Sequence, residues 1–388
     1  MSMATDKTFD VIVIGLGVMG SATAYHLSAD GYRVLALEQF ELDHNRGSSN
    51  GESRIIRYAY DHPAYVEMAK AVFPMWRALE AECGEQLMVR TGGLDFGPAD
   101  SPTLVATRDN LRAAGVPYEW LTPEEVSRQL PQFRLDEGMM GGYQPDAGYL
   151  AASRCVVAQA KMAQKHGATL LTNTPVQKID VLADSVRVHT SGAVYEAGRL
   201  VITVGPWASS VLGTLGLNLP LQATREELVF FEPPNMAQFL PEQFPVFIYH
   251  GKPWFYGLPS VTGTGLKVAV HGRNEPTDPD TIRRTPDEDY IEQVRAFVRR
   301  HLPQGDGRVR EARICMYTMT PDEHFIIDRH PAHDHVVIGA GFSGHGFKFG
   351  ILVGRILADL AVRGQTAHDV RLFSLSRFAN AVPPGAHR

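Results

Sequence analysis

A glycine-rich turn close to the N-terminus constrains the fold more than any other feature of the chain. Residues 11–14 are a continuous apolar run, which is typical of a strand buried on both faces of a parallel sheet. The turn at 15–20 follows, residues 21–30 show helical spacing, and residues 32–37 predict a second strand. A carboxylate, Glu38, stands at the end of that strand. This order predicts one β-α-β unit.

Each glycine of the turn meets a separate geometric need. Gly15 allows the tight turn, Gly17 lets the backbone approach a pyrophosphate, and Gly20 lets the helix pack closely on the strand. The pyrophosphate would lie at the positive end of the helix, with Glu38 placed to bind ribose hydroxyls. The pattern therefore predicts a dinucleotide site, and by itself it does not distinguish FAD from NAD.

The same alternation of helix and strand returns later in the chain. Helical spacing appears at 151–166 and 349–362, and apolar strands are expected at 168–172, 199–204 and 336–338. A glycine-rich turn separates the last of these strands from the last helix. These segments extend the dinucleotide-binding unit.

Two other segments have a different character. Residues 93–148 and 221–319 mix Pro, Gly and aromatic residues with β-rich runs, and we interpret them as a second domain inserted twice. The first domain would then comprise residues 1–92, 149–220 and 320–388. The expected fold class is α/β plus α+β: a Rossmann-like dinucleotide-binding domain with an inserted β-rich substrate domain.

Bulk composition excludes several classes of protein. The 388 residues are 44% hydrophobic and 21% charged, as in an ordinary globular protein. A net charge of −6 without long Lys/Arg runs does not fit a nucleic-acid-binding protein. Residues 1–8 lack the apolar core of a secretory signal, and no run of roughly 20 apolar residues predicts a membrane span.

The cysteines are few and far apart. Cys83, Cys155 and Cys315 do not form the pattern of a disulfide framework, so we expect a reducing compartment and a cytoplasmic protein. Cys83 and Cys155 fall in helical patterns and are expected to have no chemical role.

Several distinctive sequence blocks are distributed along nearly the whole chain. They are Cys315-Met316-Tyr317-Thr318, residues 321–328, Gly341 to Lys348, residues 46–57, residues 254–257, and residues 265–267 followed by His271. Together these blocks closely resemble the sarcosine oxidase and N-methyltryptophan oxidase family of flavoprotein amine oxidases. The resemblance implies a monomer with a glutathione-reductase-like or D-amino-acid-oxidase-like fold of two domains.

The cofactor implied by the resemblance is FAD, bound covalently through Cys315 as an 8α-S-cysteinyl thioether. Such a bond needs a thiolate, so we expect surroundings that favour ionisation of the thiol. The implied cofactor contacts, besides Cys315, are Gly15, Gly17, Gly20, Glu38, Ser48, Asn50, Arg54, Val176, Gly346 and Lys348.

The implied reaction is oxidation of sarcosine by O2, giving glycine, formaldehyde and hydrogen peroxide. By the resemblance, Arg57 and Lys348 bind the substrate carboxylate, for which an arginine fork is suited. Lys267 would activate O2 as a fixed cation, and Arg54 would contact the flavin ring. If the segment is helical, Arg54 and Arg57 share one face.

The remaining implied site residues surround the substrate. Tyr256 and Tyr317 are expected to set shape and hydrogen bonding, because a phenol with a pKa near 10 is a poor base at neutral pH. An ordinary imidazole titrates near neutral pH, so His271 is a candidate proton acceptor, with a role as pocket wall as the alternative. Gly344 and Ile248 complete the substrate contacts.

Two positions depart from the family pattern. Asn50 stands where the family has a histidine, and Ile248 stands near the place of a family methionine. The substrate therefore stays open between sarcosine, N-methyl-L-tryptophan and cyclic amino acids such as proline or pipecolate.

Readings from other classes also stay open. An NAD-dependent dehydrogenase would use the same glycine turn, and a non-catalytic flavin-binding protein would not be reduced by substrate. A histidine-rich stretch is not expected to bind a metal, because its spacing does not match ligands on defined elements. Its members are His324, His330, His333 and His335.

Overall fold

The computed structural model describes residues 8–378, so the expectation about a secretory signal concerns a segment outside the described residues. The helices are α1 Val18–Ala29, α2 Pro63–Cys83, α3 Pro102–Ala113, α4 Pro123–Gln129, α5 Ala152–Lys165, α6 Ala208–Thr214, α7 Glu288–His301 and α8 Gly350–Arg363. The strands are β1 Thr8–Ile14, β2 Val34–Leu37, β3 Arg54–Ile56, β4 Met88–Arg90, β5 Gly93–Pro98, β6 Glu119–Leu121, β7 Met139–Gln144, β8 Gly148–Leu150, β9 Thr169–Leu171, β10 Val176–Val181, β11 Val186–Thr190, β12 Val194–Ile202, β13 Gln222–Glu232, β14 Val246–Tyr249, β15 Phe255–Leu258, β16 Leu266–Val270, β17 Glu275–Pro276, β18 Arg308–Met319, β19 Ile326–His330 and β20 His333–Ala340.

The first sheet is built around parallel strands from distant parts of the chain. Its main order is β10-β11-β12-β1-β2-β9, and β20 pairs with the C-terminal half of β12. Strands β12, β1, β2 and β9 run parallel, with α1 connecting β1 to β2. Buried on both faces, β1 and β2 carry the continuous apolar runs expected of such strands.

Helices α1 and α8 pack against each other at very short range. A Cβ on Gly354 would lie 2.4 Å from the Cβ of Ala22, and a Cβ on Gly350 would lie 2.5 Å from Val18. Only glycine permits this approach, because two real Cβ atoms never come so close. The N-terminus of α1 and that of α8 are therefore held side by side.

The second sheet is almost entirely antiparallel. Its order is β17-β13-β16-β15-β14-β5-β7-β6, and β18 pairs along the whole length of β13. One parallel pairing, β5 with β14, joins residues 93–98 to residues 246–249. Helix α7 packs on this sheet through Val294, Phe297 and Val298. Together the two sheets confirm the expected fold class.

A small third sheet corrects one expectation. Strand β3 pairs with β8, which also pairs with β4. Arg54 therefore lies in a strand and Arg57 directly after it, so the helical face considered for these residues does not exist. The β-branched pair Ile55-Ile56 between them favours extended backbone.

Most other elements lie close to their expected places. Helix α8 at 350–363 and strand β20 match the C-terminal expectation within a few residues, as do α5 and β9 in mid-chain. Within residues 8–378, every helix is too short or too polar to cross a membrane.

The close contact between Gly20 of α1 and the turn at Gly15 can be tested by mutation. A Cβ on Gly20 would lie 1.7 Å from the Gly15 carbonyl oxygen and 2.6 Å from Thr203 Oγ1. We expect Gly20→Ala to lower the free energy of unfolding by about 2 kcal/mol or more, since the backbone must move. Urea unfolding followed by tryptophan fluorescence measures it.

The control is Gly192→Ala, where a Cβ would meet no atom within 4 Å. Its stability should stay within about 0.5 kcal/mol of wild type. Equal stability of Gly20→Ala and Gly192→Ala would contradict the close packing.

Candidate active site

A cavity of about 650 Å³ collects nearly all the residues singled out from the sequence. Its size lies in the range of small-molecule and cofactor pockets, about 300–1,000 Å³. The predicted residues that line it are Gly15, Gly17, Glu38, Ser48, Asn50, Arg54, Arg57, Val176, Ile248, Tyr256, Lys267, His271, Cys315, Tyr317, Gly344, Gly346 and Lys348. Gly20 is the exception, since it lies behind the turn against Gly15.

One end of the cavity is formed by the first glycine turn. Gly15 has φ +90°, and a Cβ there would lie 2.5 Å from the Thr203 carbonyl oxygen. The Thr203 hydroxyl donates to the carbonyls of Ile14 and Gly15 at 3.0 Å each. The turn is thus tied to the end of β12, and the N-terminus of α1 faces the cavity.

Glu38 is held as an anion at the end of β2. The Leu16 N–H donates to Glu38 Oε2 at 2.9 Å, and the Phe40 N–H donates to Oε1 at 3.1 Å. Burial alone would raise the pKa of this carboxyl, but hydrogen bonds from His44 and these backbone groups outweigh it and leave the pKa lowered. A carboxylate fixed in this way can accept hydrogen bonds from ribose hydroxyls.

The loop after β2 brings unpaired polar atoms to the same end. Ser49 Oγ accepts from the Val18 N–H at 3.1 Å, which ties the loop to the start of α1. Ser48 Oγ and Asp43 Oδ1 are buried and have no hydrogen-bond partner among the described residues. Asn50 Nδ2 donates to the Asp43 carbonyl oxygen at 2.7 Å. Buried polar atoms of this kind need a partner, and a bound ligand can provide it.

Cys315 lies on β18, half-buried in the middle of the cavity wall. Burial raises the pKa of its thiol to about 11, while the positive charges of Arg54 and Lys267 act in the opposite direction. The expectation that the surrounding side chains favour ionisation of this thiol is therefore wrong. The two cations reduce the cost of ionisation without removing it.

Lys267 is a buried cation on β16. It is only 4% exposed, and its Nζ donates to the Ser53 carbonyl oxygen at 3.3 Å. Burial, together with the charge of Arg54, lowers the pKa of Lys267 to about 7. This ammonium group therefore changes charge near neutral pH, unlike an ordinary surface lysine.

Arg54 is held by three backbone carbonyls. Its guanidinium donates to the carbonyl oxygens of Ser48 at 3.0 Å, Asn50 at 2.8 Å and Ser53 at 2.9 Å. The group also lies 5.6 Å from the centre of the Phe347 ring. These contacts fix one cation at the cavity wall without an acidic partner among its hydrogen bonds.

The other end of the cavity carries a second pair of cations. Lys348 Nζ donates to Tyr60 Oη at 2.7 Å and to the His345 carbonyl oxygen at 2.8 Å. Arg57 lies over the same Tyr60 ring at 4.9 Å and donates to Asp95. Burial and the charge of Arg57 hold the pKa of Lys348 well below its usual range. An arriving carboxylate would relieve this repulsion.

His271 lies beside these cations. Burial, with the charges of Lys348 and Arg57, lowers the pKa of the imidazole to about 4. The ring is neutral at pH 7 and is a weak proton acceptor. This geometry favours the alternative role of His271 as a wall of the pocket.

Two tyrosines and a glycine close the space between the ends. The phenols of Tyr256 and Tyr317 lie close enough to influence each other, and burial raises the pKa of both. Gly344 has φ +75°, and a Cβ there would lie 2.2 Å from the Tyr317 ring. Ile248 lines the cavity from β14, opposite Tyr256 in the antiparallel pair. These residues determine the shape of the cavity between its two ends.

Sequence reasoning missed several residues that matter here. They are Tyr60, Asp95, His250 and His345, which contact Arg57 or Lys348 directly or through one partner. His345 lies within a block already quoted, so it could have been singled out. Asp95 and His250 become site residues only through the pairing of β5 with β14, and Tyr60 through its contacts with Arg57 and Lys348.

Comparison with known proteins settles the family. The sequence family described as FAD dependent oxidoreductase, abbreviated DAO, matches residues 10–360. The chain belongs to this family. FAD is therefore the dinucleotide, and the alternative that the chain belongs to a family of NAD-dependent dehydrogenases is excluded.

Relatives of similar length cover nearly the whole chain. Monomeric sarcosine oxidase of a Bacillus species is 38% identical over 376 residues, which is 95% of this chain and 96% of the relative. The protein of that name from Streptomyces avermitilis is 40% identical over 96% of this chain and 99% of its own length. N-methyl-L-tryptophan oxidase of Yersinia pestis is 31% identical over 95% of this chain and 99% of its own length.

A solved structure supports the same fold. NikD, described as an unusual amino acid oxidase essential for nikkomycin biosynthesis, aligns with a TM-score of 0.84. It is 28% identical, and the alignment covers 95% of this chain and 97% of NikD.

The cavity fits FAD on its own evidence. The glycine turn at the α1 N-terminus and the fixed Glu38 carboxylate suit a pyrophosphate and a ribose. The unpartnered Ser48 and Asp43 atoms belong to residues that line the same cavity, as does Cys315. Among residues 8–378, no group of three or more His, Cys, Asp or Glu side chains is arranged to hold a metal ion.

The lowered pKa of His271 can be tested without turnover. In protein labelled with ¹³C at the histidine rings, we expect the His271 signal not to titrate between about pH 5.5 and 8, because a pKa of about 4 leaves the ring neutral there. The spectrum of His271→Gln assigns the signal. A midpoint near pH 6.5 would contradict the assignment of His271 as a neutral wall.

Proposed function

We propose that this chain is an FAD-dependent amine oxidase that oxidises sarcosine and related small secondary amino acids with O2. Sarcosine, O2 and water would give glycine, formaldehyde and hydrogen peroxide. The observation that carries the proposal is that one continuous cavity joins a dinucleotide end to the buried cations Arg57 and Lys348. Likeness to enzymes named sarcosine oxidase adds to it.

The cofactor is proposed to be covalent, through a thioether at Cys315. This thiol is free, half-buried and in the cavity wall, in contrast to Cys155, which is buried in α5. Arg54 and Lys267 lower the cost of the thiolate that attachment requires. Bound FAD supplies the two-electron acceptor that the chain itself lacks.

The chain's own residues orient the substrate. The guanidinium of Arg57 and the ammonium of Lys348 would bind the carboxylate, and this requirement rejects simple amines. The same two charges disfavour a protonated amine nearby, so they lower the pKa of the substrate nitrogen. His271, Tyr256 and Tyr317 exclude water and shape the space around the methyl group. Lys267, in its protonated form, would supply the positive charge at which O2 is reduced.

The remaining expectations stay proposals. The domain division at 1–92, 149–220 and 320–388 against 93–148 and 221–319 is supported by the strands, because each of the two large sheets draws its strands from one of these sets. A monomer in the cytoplasm is proposed on the likeness to monomeric enzymes and on three unpaired cysteines.

The first test is an absorbance spectrum of the purified protein before and after acid precipitation, followed by anaerobic sarcosine. We expect yellow colour that stays with the pellet, because a thioether survives denaturation, and bleaching of the native protein by sarcosine. Colour released to the supernatant would remove Cys315 from the proposal. Retained colour without bleaching would direct the assay to N-methyl-L-tryptophan, proline and pipecolate.

The oxygen-reacting role of Lys267 has its own test. We expect Lys267→Met to be bleached by substrate at a rate near wild type but to reoxidise in air at least about 100-fold more slowly, because a preorganised charge is lost. Stopped-flow absorbance measures both half-reactions. Lys178→Met, which alters a surface lysine paired with Asp180, is the control. Normal reoxidation of the Lys267 variant would disprove the role.

A further inference from the structure

A buried carboxylate interrupts one of the most apolar strands of the second sheet. Asp95 lies on β5 between Leu94 and Phe96, both 0% exposed, and is itself only 4% exposed. Aspartate is almost never buried in this way unless it is paired. Its partners therefore indicate its role.

Two side chains donate to the same oxygen of Asp95. Arg57 Nη1 donates to Oδ1, and His250 Nε2 lies 2.8 Å from that atom. His250 Nδ1 in turn lies 3.1 Å from the hydroxyl oxygen of Thr103. A carboxylate only accepts, so His250 donates from Nε2, and its Nδ1 shares the hydrogen bond with Thr103. The result is a chain of hydrogen bonds from α3 to Arg57.

Arg57 has few other restraints. Of the described side chains, Asp95 is the only one that hydrogen-bonds to its guanidinium. The ring of Tyr60 lies 4.9 Å from the guanidinium carbon, and the Tyr60 hydroxyl accepts from Lys348. One corner of the guanidinium is thus fixed, and the remaining N–H groups are left to a ligand beside Lys348.

We propose that Asp95, supported by His250, is a positioning residue that holds Arg57 in the orientation needed to receive a carboxylate together with Lys348. The inference rests on the proposed function, because that carboxylate is the substrate's. A planar, five-donor fork gains its specificity from orientation, so an unanchored Arg57 would lose affinity even with its charge intact.

The direct readout is binding of butyrate, in which CH2 replaces the amine of sarcosine and oxidation is blocked. Titration of the holoenzyme, followed by flavin absorbance, gives Kd without turnover. We expect Asp95→Ala to raise Kd at least about tenfold, because a hydrogen bond between charged groups is lost. Asp95→Asn keeps an acceptor for Arg57 and should stay within about threefold of wild type.

A second background separates positioning from a general loss of structure. In Arg57→Ala, the further change Asp95→Ala should weaken butyrate binding no more, because its effect passes through Arg57. Asp359→Ala is the matched control: it removes another buried carboxylate paired with an arginine, Arg355 at 2.7 Å, and its butyrate Kd should stay within about twofold of wild type. If Asp95→Ala fails to accumulate as holoenzyme, Thr103→Val tests the same chain and should raise Kd about threefold.

Several outcomes would overturn the proposal. Tighter butyrate binding by both Asp95→Asn and Asp95→Ala would make Asp95 a competing anion. If Asp95→Ala weakened butyrate binding equally in the wild type and in Arg57→Ala, the role of Asp95 would be structural. An unchanged butyrate Kd in Thr103→Val would refute the supporting role of His250.

Turnover distinguishes this inference from the proposed function. With sarcosine, KM of Asp95→Ala should rise in step with the butyrate Kd while kcat stays within about threefold. A holoenzyme that binds butyrate as expected but oxidises no secondary amino acid would refute the function alone. Normal KM in Asp95→Ala would refute the positioning role alone.

Discussion

The contact between the turn at 341–346 and strand β18 holds the whole site together. The Ser343 N–H donates to the Thr318 carbonyl oxygen at 3.0 Å, and Gly344 packs directly on the ring of Tyr317. Strand β18 belongs to the second sheet and carries Cys315, whereas the turn leads into α8 on the first sheet. This contact therefore sets the distance between the thiol and the dinucleotide end of the cavity. A side chain at Gly344 would collide with the ring of Tyr317.

Burial determines the electrostatics of the cavity more than the number of charges does. Lys267 and Lys348 have lowered pKa values and the thiol of Cys315 has a raised one, because each neutral form is easier to bury. The site is consequently poised to be stabilised by an anion, whether a substrate carboxylate or charge developing on a cofactor. Asp95 already accepts one hydrogen bond from Arg57 in this cavity.

Local pattern was sufficient for elements whose signal lies within one segment. The glycine turn, α1 and β2 could be placed because apolar runs, glycines and the final Glu38 are contiguous. The segment around Arg54 and Arg57 was ambiguous, because strand β3 exists only through pairing with β8 nearly one hundred residues away. The contact between Asp95 and His250 could not be predicted from the sequence for the same reason, because it depends on the parallel pairing of β5 with β14. The family resemblance, rather than periodicity, singled out most of the other residues that line the cavity.

The pairing of β12 with β20 has a consequence for how the protein is made. The first sheet takes its central strands from residues 8–14 and 194–202, yet β20 and α8 come from residues 333–363. During synthesis, the glycine turn and α1 therefore lack the helix that packs on them until residues 350–363 have left the ribosome. Contacts of such high sequence separation also slow folding. The N-terminus of α1, which faces the cavity, is consequently completed late, and removal of α8 would leave α1 without the helix that packs on it.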